Sequence, residues 1–478
     1  MSDIAAPPGL IDRALRRVTT LWRDMAASVT GGEDEGFAAQ MRTCLEARGG
    51  EVSARSRAAR LAQAYLAADR AAREEFLRAL AGFDSDAAAV AEAWNRVAAA
   101  TDPAERAGAK ARLRRVLEPP RLRLLTQFTT IPDGVKFLVD LRADLLAAMH
   151  ADALLQALEA DLRTLLASWF DVGFLELRRI DWSSPAALLE KLVGYEAVHR
   201  IRTWRDLKNR LDSDRRCYAF FHPRMPDEPL IFVEVALVEG MAASVQGLLD
   251  EKAPVLDPRT ADTAVFYSIN NCQRGLDGIS FGNFLIKRVV DLLSAEFGNL
   301  ACFATLSPIP GFRRWLEERL EAGDATLLTE EEAAALRAAA PAEPPSAAPG
   351  GGAEAMPEMP VPTLRRVLAR RPPQREEALG KALEPVLLRA CARYLLVESS
   401  RGKRARDPVA HFHLSNGARV ERLNWRADTS EKGLRESFAL MVNYRYDPEK
   451  IEAYHEDYAG DGRRAAAAPI RRLAKGFL

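Results

Sequence analysis

Apolar residues recur every three or four positions through the first third of the chain. In "LAQAYLAADRAAREEFLRALAGF", Leu61, Tyr65, Phe76, Leu80 and Phe83 keep that spacing, which places them on the inner faces of amphipathic helices. No proline interrupts the chain from Gly9 to Thr101, and "GGEDEG", "RGG" and "TDPAE" supply the breaks. The same period runs on through "GVKFLVDLRADLLAAM" and "LLQALEADLRTLLASWF". This pattern predicts an all-α bundle over residues 1–168, whose expected work is packing, including packing against another subunit.

Near Trp169 the pattern changes. After a last helical run, "SPAALLEKLVGYEAVHRI", aromatic and β-branched residues replace alanine in "CYAFFH" and "LIFVEVALV". These read as two strands joined by the proline-rich "HPRMPDEP". "TAVFYSI" is a third strand and "LACFATLS" a fourth, with a helix between them. In "VAHFHLSNGARVERLNW", Asn416-Gly417 separates two strand-like runs, which predicts a hairpin. On such a strand His411 and His413 would point to the same side. The expected class is α+β: a helical bundle followed by a mixed α/β domain over 169–478. Residues 340–362, rich in proline, glycine and alanine, bury too little to offset their ordering entropy, and are expected to form a flexible surface insertion.

Composition narrows the partners. The 478 residues carry 67 basic and 67 acidic side chains, so no global charge attracts nucleic acid or an anionic membrane surface. No apolar run approaches the roughly 20 residues needed to cross a bilayer, and the first residues show no basic segment followed by an apolar core. The five cysteines have no CxxC spacing. That argues against a zinc site or a disulfide framework and for the reducing cytosol. Cys272, the one cysteine beside the glycine-rich turn described next, reads as a small packed residue rather than a nucleophile.

"QRGLDGISFGNFLIKRVV" follows the third strand and runs into a helical pattern. A helix N-terminus attracts anions, and glycines let backbone approach a phosphate. Gly275, Gly278 and Gly282 lie where such an approach would occur, although the spacing is neither Walker A nor GxGxxG. The order strand, glycine turn, helix, strand resembles the coenzyme A site of GNAT-type acetyltransferases. "RGLDGIS" fits their pyrophosphate loop loosely, because Arg274 is one residue too far from Gly278 and Ser280 replaces a small residue.

Longer stretches carry a more specific resemblance. "YEAVHRIRTWRDLKNRLDSDRRCYAFFHPRMPDEPLIFVEVAL", "FYSINNCQRGLDGISFGNFLIKRVV", "LSPIPGFRRWL", "HFHLSNGARVERLNWRADTS" and "GLRESFALMVNYRY" resemble the malonyl-CoA decarboxylase family. The resemblance implies a GNAT-like catalytic domain behind a helical bundle that helps form a homo-oligomer, dimer or tetramer. It implies conversion of malonyl-CoA to acetyl-CoA and carbon dioxide without metal, biotin or other cofactor. The family's catalytic serine and histidine fall on Ser307 and His413. Its acyl-CoA-binding segment falls on Asp277, Gly278, Ile279, Ser280, Phe281, Gly282 and Asn283. Ser268 and Tyr446 match further positions tied to the site. Relatives carry a glutamate where this chain has Ser280.

The residue types suit that chemistry. Loss of carbon dioxide leaves electrons on the thioester as an enolate, which needs hydrogen-bond donors at its oxygen and a proton for its carbon. Imidazole titrates near working pH, so His413 is the expected proton source. Ser307, at a strand end before Pro308 and Pro310, is expected to be held rigidly enough to orient carboxylate or enolate. His222 is read as a loop cap, Lys287 and Arg288 as a solvated helix face, and "RGKRARDP" as a basic loop. Two other functions remain open from the residues: a GNAT-type acyltransferase acting on an amine, and a non-catalytic acyl-CoA sensor.

Overall fold

The computed structural model describes residue 22 and residues 36–46, 51–279, 285–340, 360–369, 376–400 and 402–477. Eight helices among these form the first third: Phe37–Leu45, Glu51–Ala67, Arg70–Ala81, Ala87–Ala99, Pro103–Leu117, Pro120–Phe128, Gly134–Ala148 and Ala153–Trp169. Their starts follow local chemistry. Asp69, Asp86, Asp102 and Asp152 each accept a backbone N–H from the first turn that follows, which supplies a partner for a donor that has none within the helix.

Burial separates these helices by role. In Gly134–Ala148, Val135, Phe137, Leu138, Val139, Leu141, Arg142 and Leu145 are all buried, so it is enclosed on several sides rather than on one stripe. Helix Pro103–Leu117 buries none of its residues and packs against Ala87–Ala99. The pair stands out from the bundle and exposes Trp94 and Leu117.

Eight strands form one sheet: β1 (Glu176–Ile180), β2 (Arg215–Phe221), β3 (Ile231–Val238), β4 (Thr263–Asn271), β5 (Cys302–Thr305), β6 (Ser307–Pro308), β7 (Arg419–Asn424) and β8 (Met441–Tyr446). The order is β1-β2-β3-β4-β5-β8-β6, with β7 also paired to β8. Only β4 and β5 run parallel; they are joined by the glycine turn and helix Leu285–Glu296, the crossover that a parallel pair requires. The expected α+β class therefore holds; the first four strands read from the sequence are β2 to β5, and the strand-like run after Asn416-Gly417 is β7.

β2 is buried throughout and β3 nearly so, because both sheet faces are covered. One face shares a continuous apolar core with the bundle, in which Tyr218, Phe220, Val233 and Val235 join Phe137, Leu138 and Leu141. On the other, Cys217, Ala219 and Phe232 meet Leu189 and Leu192 of helix Ala186–Tyr195.

Two expectations require correction. Residues 408–415 are a helix, Pro408–Ser415, not a strand, so Asn416-Gly417 ends a helix and no hairpin forms. Of the expected insertion, 341–359 lie outside the described residues. Its last three residues instead open helix Pro360–Ala369, which buries Leu364, Val367 and Leu368, and Ala340 before it is buried too. The apolar spacing of 364, 367 and 368 outweighs the prolines, which are tolerated in a first helical turn.

Candidate active site

β5 and β6 are effectively one strand interrupted at Leu306. Both pair with the same edge of β8, Phe303 and Ala304 opposite Tyr446 and Arg445, and Ser307 and Pro308 opposite Val442 and Met441. At the gap, side chains replace the backbone ladder. The Asn443 amide donates to the carbonyl of Thr305 at 2.6 Å, the Tyr444 N–H donates to Thr305 Oγ1 at 3.1 Å, and the Leu306 N–H reaches back to Phe266 of β4 at 2.9 Å. The Thr305 carbonyl, the Leu306 N–H and the Tyr444 N–H thus keep partners across the interruption. Ser307 emerges there, buried, with its Oγ 2.8 Å from Thr305 Oγ1.

His413 arrives on helix Pro408–Ser415. Asp407 caps that helix by accepting from the N–H groups of Val409 at 3.0 Å and Ala410 at 2.9 Å, and Pro408 occupies the first turn. At the other end the Ala418 N–H returns to the His413 carbonyl at 3.0 Å, and Gly417 adopts φ +79°. A Cβ on Gly417 would overlap the carbonyl of Ile451, so glycine is required for both conformation and space.

Between these elements His413 meets Ser307. The Nε2 nitrogen lies 3.0 Å from Ser307 Oγ, and Nδ1 lies 2.8 Å from the hydroxyl of Tyr446. Tyr444, two residues earlier on β8 and so on the same side, stacks on the imidazole at 4.5 Å and 25°. One pattern of protons satisfies the whole chain: Tyr446 donates to Nδ1, Nε2–H donates to Ser307, and Ser307 donates to Thr305. Burial holds the imidazole to about 3, well below its usual value, and pushes the Tyr446 phenol up. His413 is therefore neutral. A carboxylate brought beside it would raise its proton affinity again.

The remaining predicted residues fall elsewhere. Ser268 donates to Glu196 Oε2 at 2.7 Å and accepts from the Asn270 amide at 2.7 Å, a separate buried cluster two residues beyond the last β4–β5 pair. Asp277, Gly278 and Ile279 follow a short 3-10 turn, Arg274–Leu276, with Ile279 buried and Gly278 at φ +75°. Ser280, Phe281, Gly282 and Asn283 lie outside the described residues. Gly275 packs on the bundle: a Cβ there would overlap the carbonyl of Val139. His411 does not share the site, since a helix sends positions two apart to opposite sides; its Nδ1 is 2.8 Å from Tyr458.

Several readings of single residues are met by specific partners. His222 Nδ1 accepts the Arg224 N–H, closing its own loop. Lys287 pairs with Glu452 at the surface, but Arg288 departs from the expected solvated face: it is half-buried, donates to the carbonyl of Leu175 and lies over the Phe220 ring. In the basic loop Lys403 donates to the carbonyl of Gly460 and Arg406 pairs with Glu318; Arg401 lies outside the described residues. Cys272 is buried, with its thiol pushed up by desolvation, and is not poised as a nucleophile.

Comparison with known proteins decides the family. A model described as the malonyl-CoA decarboxylase C-terminal domain matches residues 173–477, and one for the N-terminal domain of that family matches 83–170. The chain belongs to the malonyl-CoA decarboxylase family. It is 36% identical over 421 residues to the mitochondrial malonyl-CoA decarboxylase of Anser anser anser, covering 85% of this chain and 80% of that protein. Identity to the Rattus norvegicus enzyme is 38% over 426 residues, 86% of this chain and 83% of the relative. The crystal structure of malonyl-CoA decarboxylase from Rhodopseudomonas palustris superposes with a TM-score of 0.79 at 41% identity, over 91% of this chain and 98% of that one. The one from Agrobacterium vitis gives 0.79 at 39%, over 91% and 99%.

Sequence reasoning missed Thr305, Tyr444 and Asp407. Asp407-Pro408 ahead of an apolar run, with Asn416-Gly417 behind it, is a helix start and stop. That signal would have put His413 on a helix from the outset.

Proposed function

We propose that this chain converts malonyl-CoA to acetyl-CoA and carbon dioxide, with Ser307 and His413 at the reacting centre. The observation that carries the assignment of roles is the hydrogen-bonded chain Thr305–Ser307–His413–Tyr446. The malonyl carboxylate leaves as carbon dioxide, and its bonding electrons move into the thioester carbonyl as an enolate. With substrate bound, the Ser307 hydroxyl turns from Thr305 and donates its hydrogen bond to the reacting group. His413, protonated beside the malonyl carboxylate, gives its Nε2 proton to the new carbanion carbon and recovers one from solvent, so each turnover takes up one proton. A buried site favours departure of the carboxylate by removing its water, and both side chains are buried.

The thioester is itself the electron sink, which supports a reaction without metal, biotin or other cofactor. The segment Asp277–Asn283 is proposed to contact the acyl-CoA. The exposed helical pair Ala87–Leu117, which presents Trp94 and Leu117, supports a homo-oligomer. A cytosolic location rests on the free cysteines and on the lack, among the described residues, of a helix long and apolar enough to cross a membrane. The goose, rat and mouse relatives, by contrast, are named as mitochondrial.

The test is incubation of the pure protein with malonyl-CoA and no amine. Release of carbon dioxide and acetyl-CoA separates a decarboxylase from an acyltransferase, which needs an acceptor, and from a sensor, which binds without turnover. Loss of turnover by about 10²–10⁴ in His413→Ala, the usual worth of a general acid, supports its role. Near-normal turnover there removes it.

A further inference from the structure

We propose that the helical bundle sets the acyl-CoA-binding turn through Arg142, a positioning residue for substrate binding. The inference rests on the reading that the segment beginning at Asp277 contacts the acyl-CoA. Arg142 lies in the enclosed helix Gly134–Ala148 and is 1% exposed. Its Nη1 donates to the carbonyls of Gly275 at 2.7 Å and Asp277 at 2.9 Å, 133 and 135 residues away in the chain. Its Nε and Nη2 donate to Glu159 Oε1 on the neighbouring helix at 3.1 and 2.6 Å.

This arrangement has a direction. A buried guanidinium is costly unless its charge and its N–H groups are both satisfied. Glu159 supplies the charge from inside the bundle, and the turn supplies the other acceptors. Three residues before Arg142, on the same side of the helix, the Val139 carbonyl abuts Gly275 where any side chain would overlap. The turn is therefore laid on the bundle at Gly275 and held by two carbonyls on either side of Leu276, itself buried in the shared core. Gly278, at φ +75°, follows at once with open space around it. The backbone entering the proposed acyl-CoA segment takes its direction from a helix of the other region.

Arg142→Met, Gly275→Ala and Gly278→Ala in the full-length protein test this by steady-state kinetics and by calorimetric binding of coenzyme A. Arg142→Met should raise KM for malonyl-CoA and the coenzyme A Kd by roughly tenfold or more, with kcat within about twofold, and Arg142→Lys should recover part of the loss. Should Arg142→Met fail to fold, Gly275→Ala carries the test, because it lifts the turn while leaving the Arg142–Glu159 pair whole. Unchanged KM and Kd in the foldable member of that pair, with Gly278→Ala raising both, would overturn the bracing role and leave the turn's own role standing. Unchanged values in all three would overturn both together. A fall in kcat at constant KM would also overturn the proposal.

Discussion

The hydroxyl of Tyr446 lies 2.8 Å from Nδ1 of His413, so an imidazole already bonded to Ser307 has a partner at each nitrogen. The second partner fixes ring orientation and leaves the proton on the side facing Ser307. Tyr446→Phe keeps the ring and removes the partner, leaving a buried nitrogen unpaired at a cost of about 1–3 kcal/mol. The expected result is a kcat lower by roughly 10–100-fold with KM for malonyl-CoA little changed. Steady-state kinetics decide it; a variant with normal kcat would show that Tyr446 does not orient the imidazole.

Burial of His413 predicts acid sensitivity. Its proton affinity is held to about 3 in the fold, and that of His199 to about 4, again by burial. Unfolded, both titrate near 6.5. Below that pH the unfolded chain binds protons that the native chain refuses, so their contribution is whole above about pH 6.5 and shrinks as pH falls toward 4. The gap in urea midpoint between pH 7 and pH 5 should be smaller in His413→Gln than in the parent. An equal gap would contradict the desolvated imidazole.

Asp407 works in the opposite sense. It caps the His413 helix, accepts from Tyr394 at 3.3 Å and from the Gly311 N–H, and is pushed up to about 6 by burial. Its native form favours the proton, so its effect on stability declines as pH rises from about 4 to 6 and is level above. Asp407→Asn places an amide nitrogen against two donors and should be less stable than the parent at every pH. The deficit should narrow between pH 4 and 6, as read by denaturant unfolding. Asp407→Ala should lose about 1–2 kcal/mol from the cap alone, and kcat as well, because the helix it starts and the corner at Gly311 flank the site.

Gly417 permits the turn behind His413. Gly417→Ala adds both a left-handed residue, at about 1 kcal/mol, and an overlap with the Ile451 carbonyl. It should unfold at clearly lower denaturant concentration and lose activity even where it stays folded. A fully active, fully stable variant would show that the helix end yields without moving His413.

The central strands and the helical first third were legible because their signals are local. β2 and β3 are short runs of aromatic and branched residues, and the bundle keeps a helical period. Pro408–Ser415 misled because "AHFHL" alternates in a strand-like way and Asn-Gly is a strong turn signal, while the competing Asp-Pro start lay outside that pattern. β1 went unread because "ELRRI" is mostly polar at an exposed edge. The close approach of Gly275 to a carbonyl 136 positions earlier had no local signal.

Local spacing and composition were enough to establish a helical region followed by a mixed sheet. Long matched motifs were enough to name the family and to single out Ser307, His413 and Tyr446. Their convergence was another matter. It depends on β8 presenting Tyr444 and Tyr446 beside the gap between β5 and β6, and on a capped helix turning His413 toward that gap and His411 away. The brace from Arg142 to Gly275 belongs to the same class. A hydrogen bond depends on distances and directions between elements far apart in the chain, and those are established only when the layers pack.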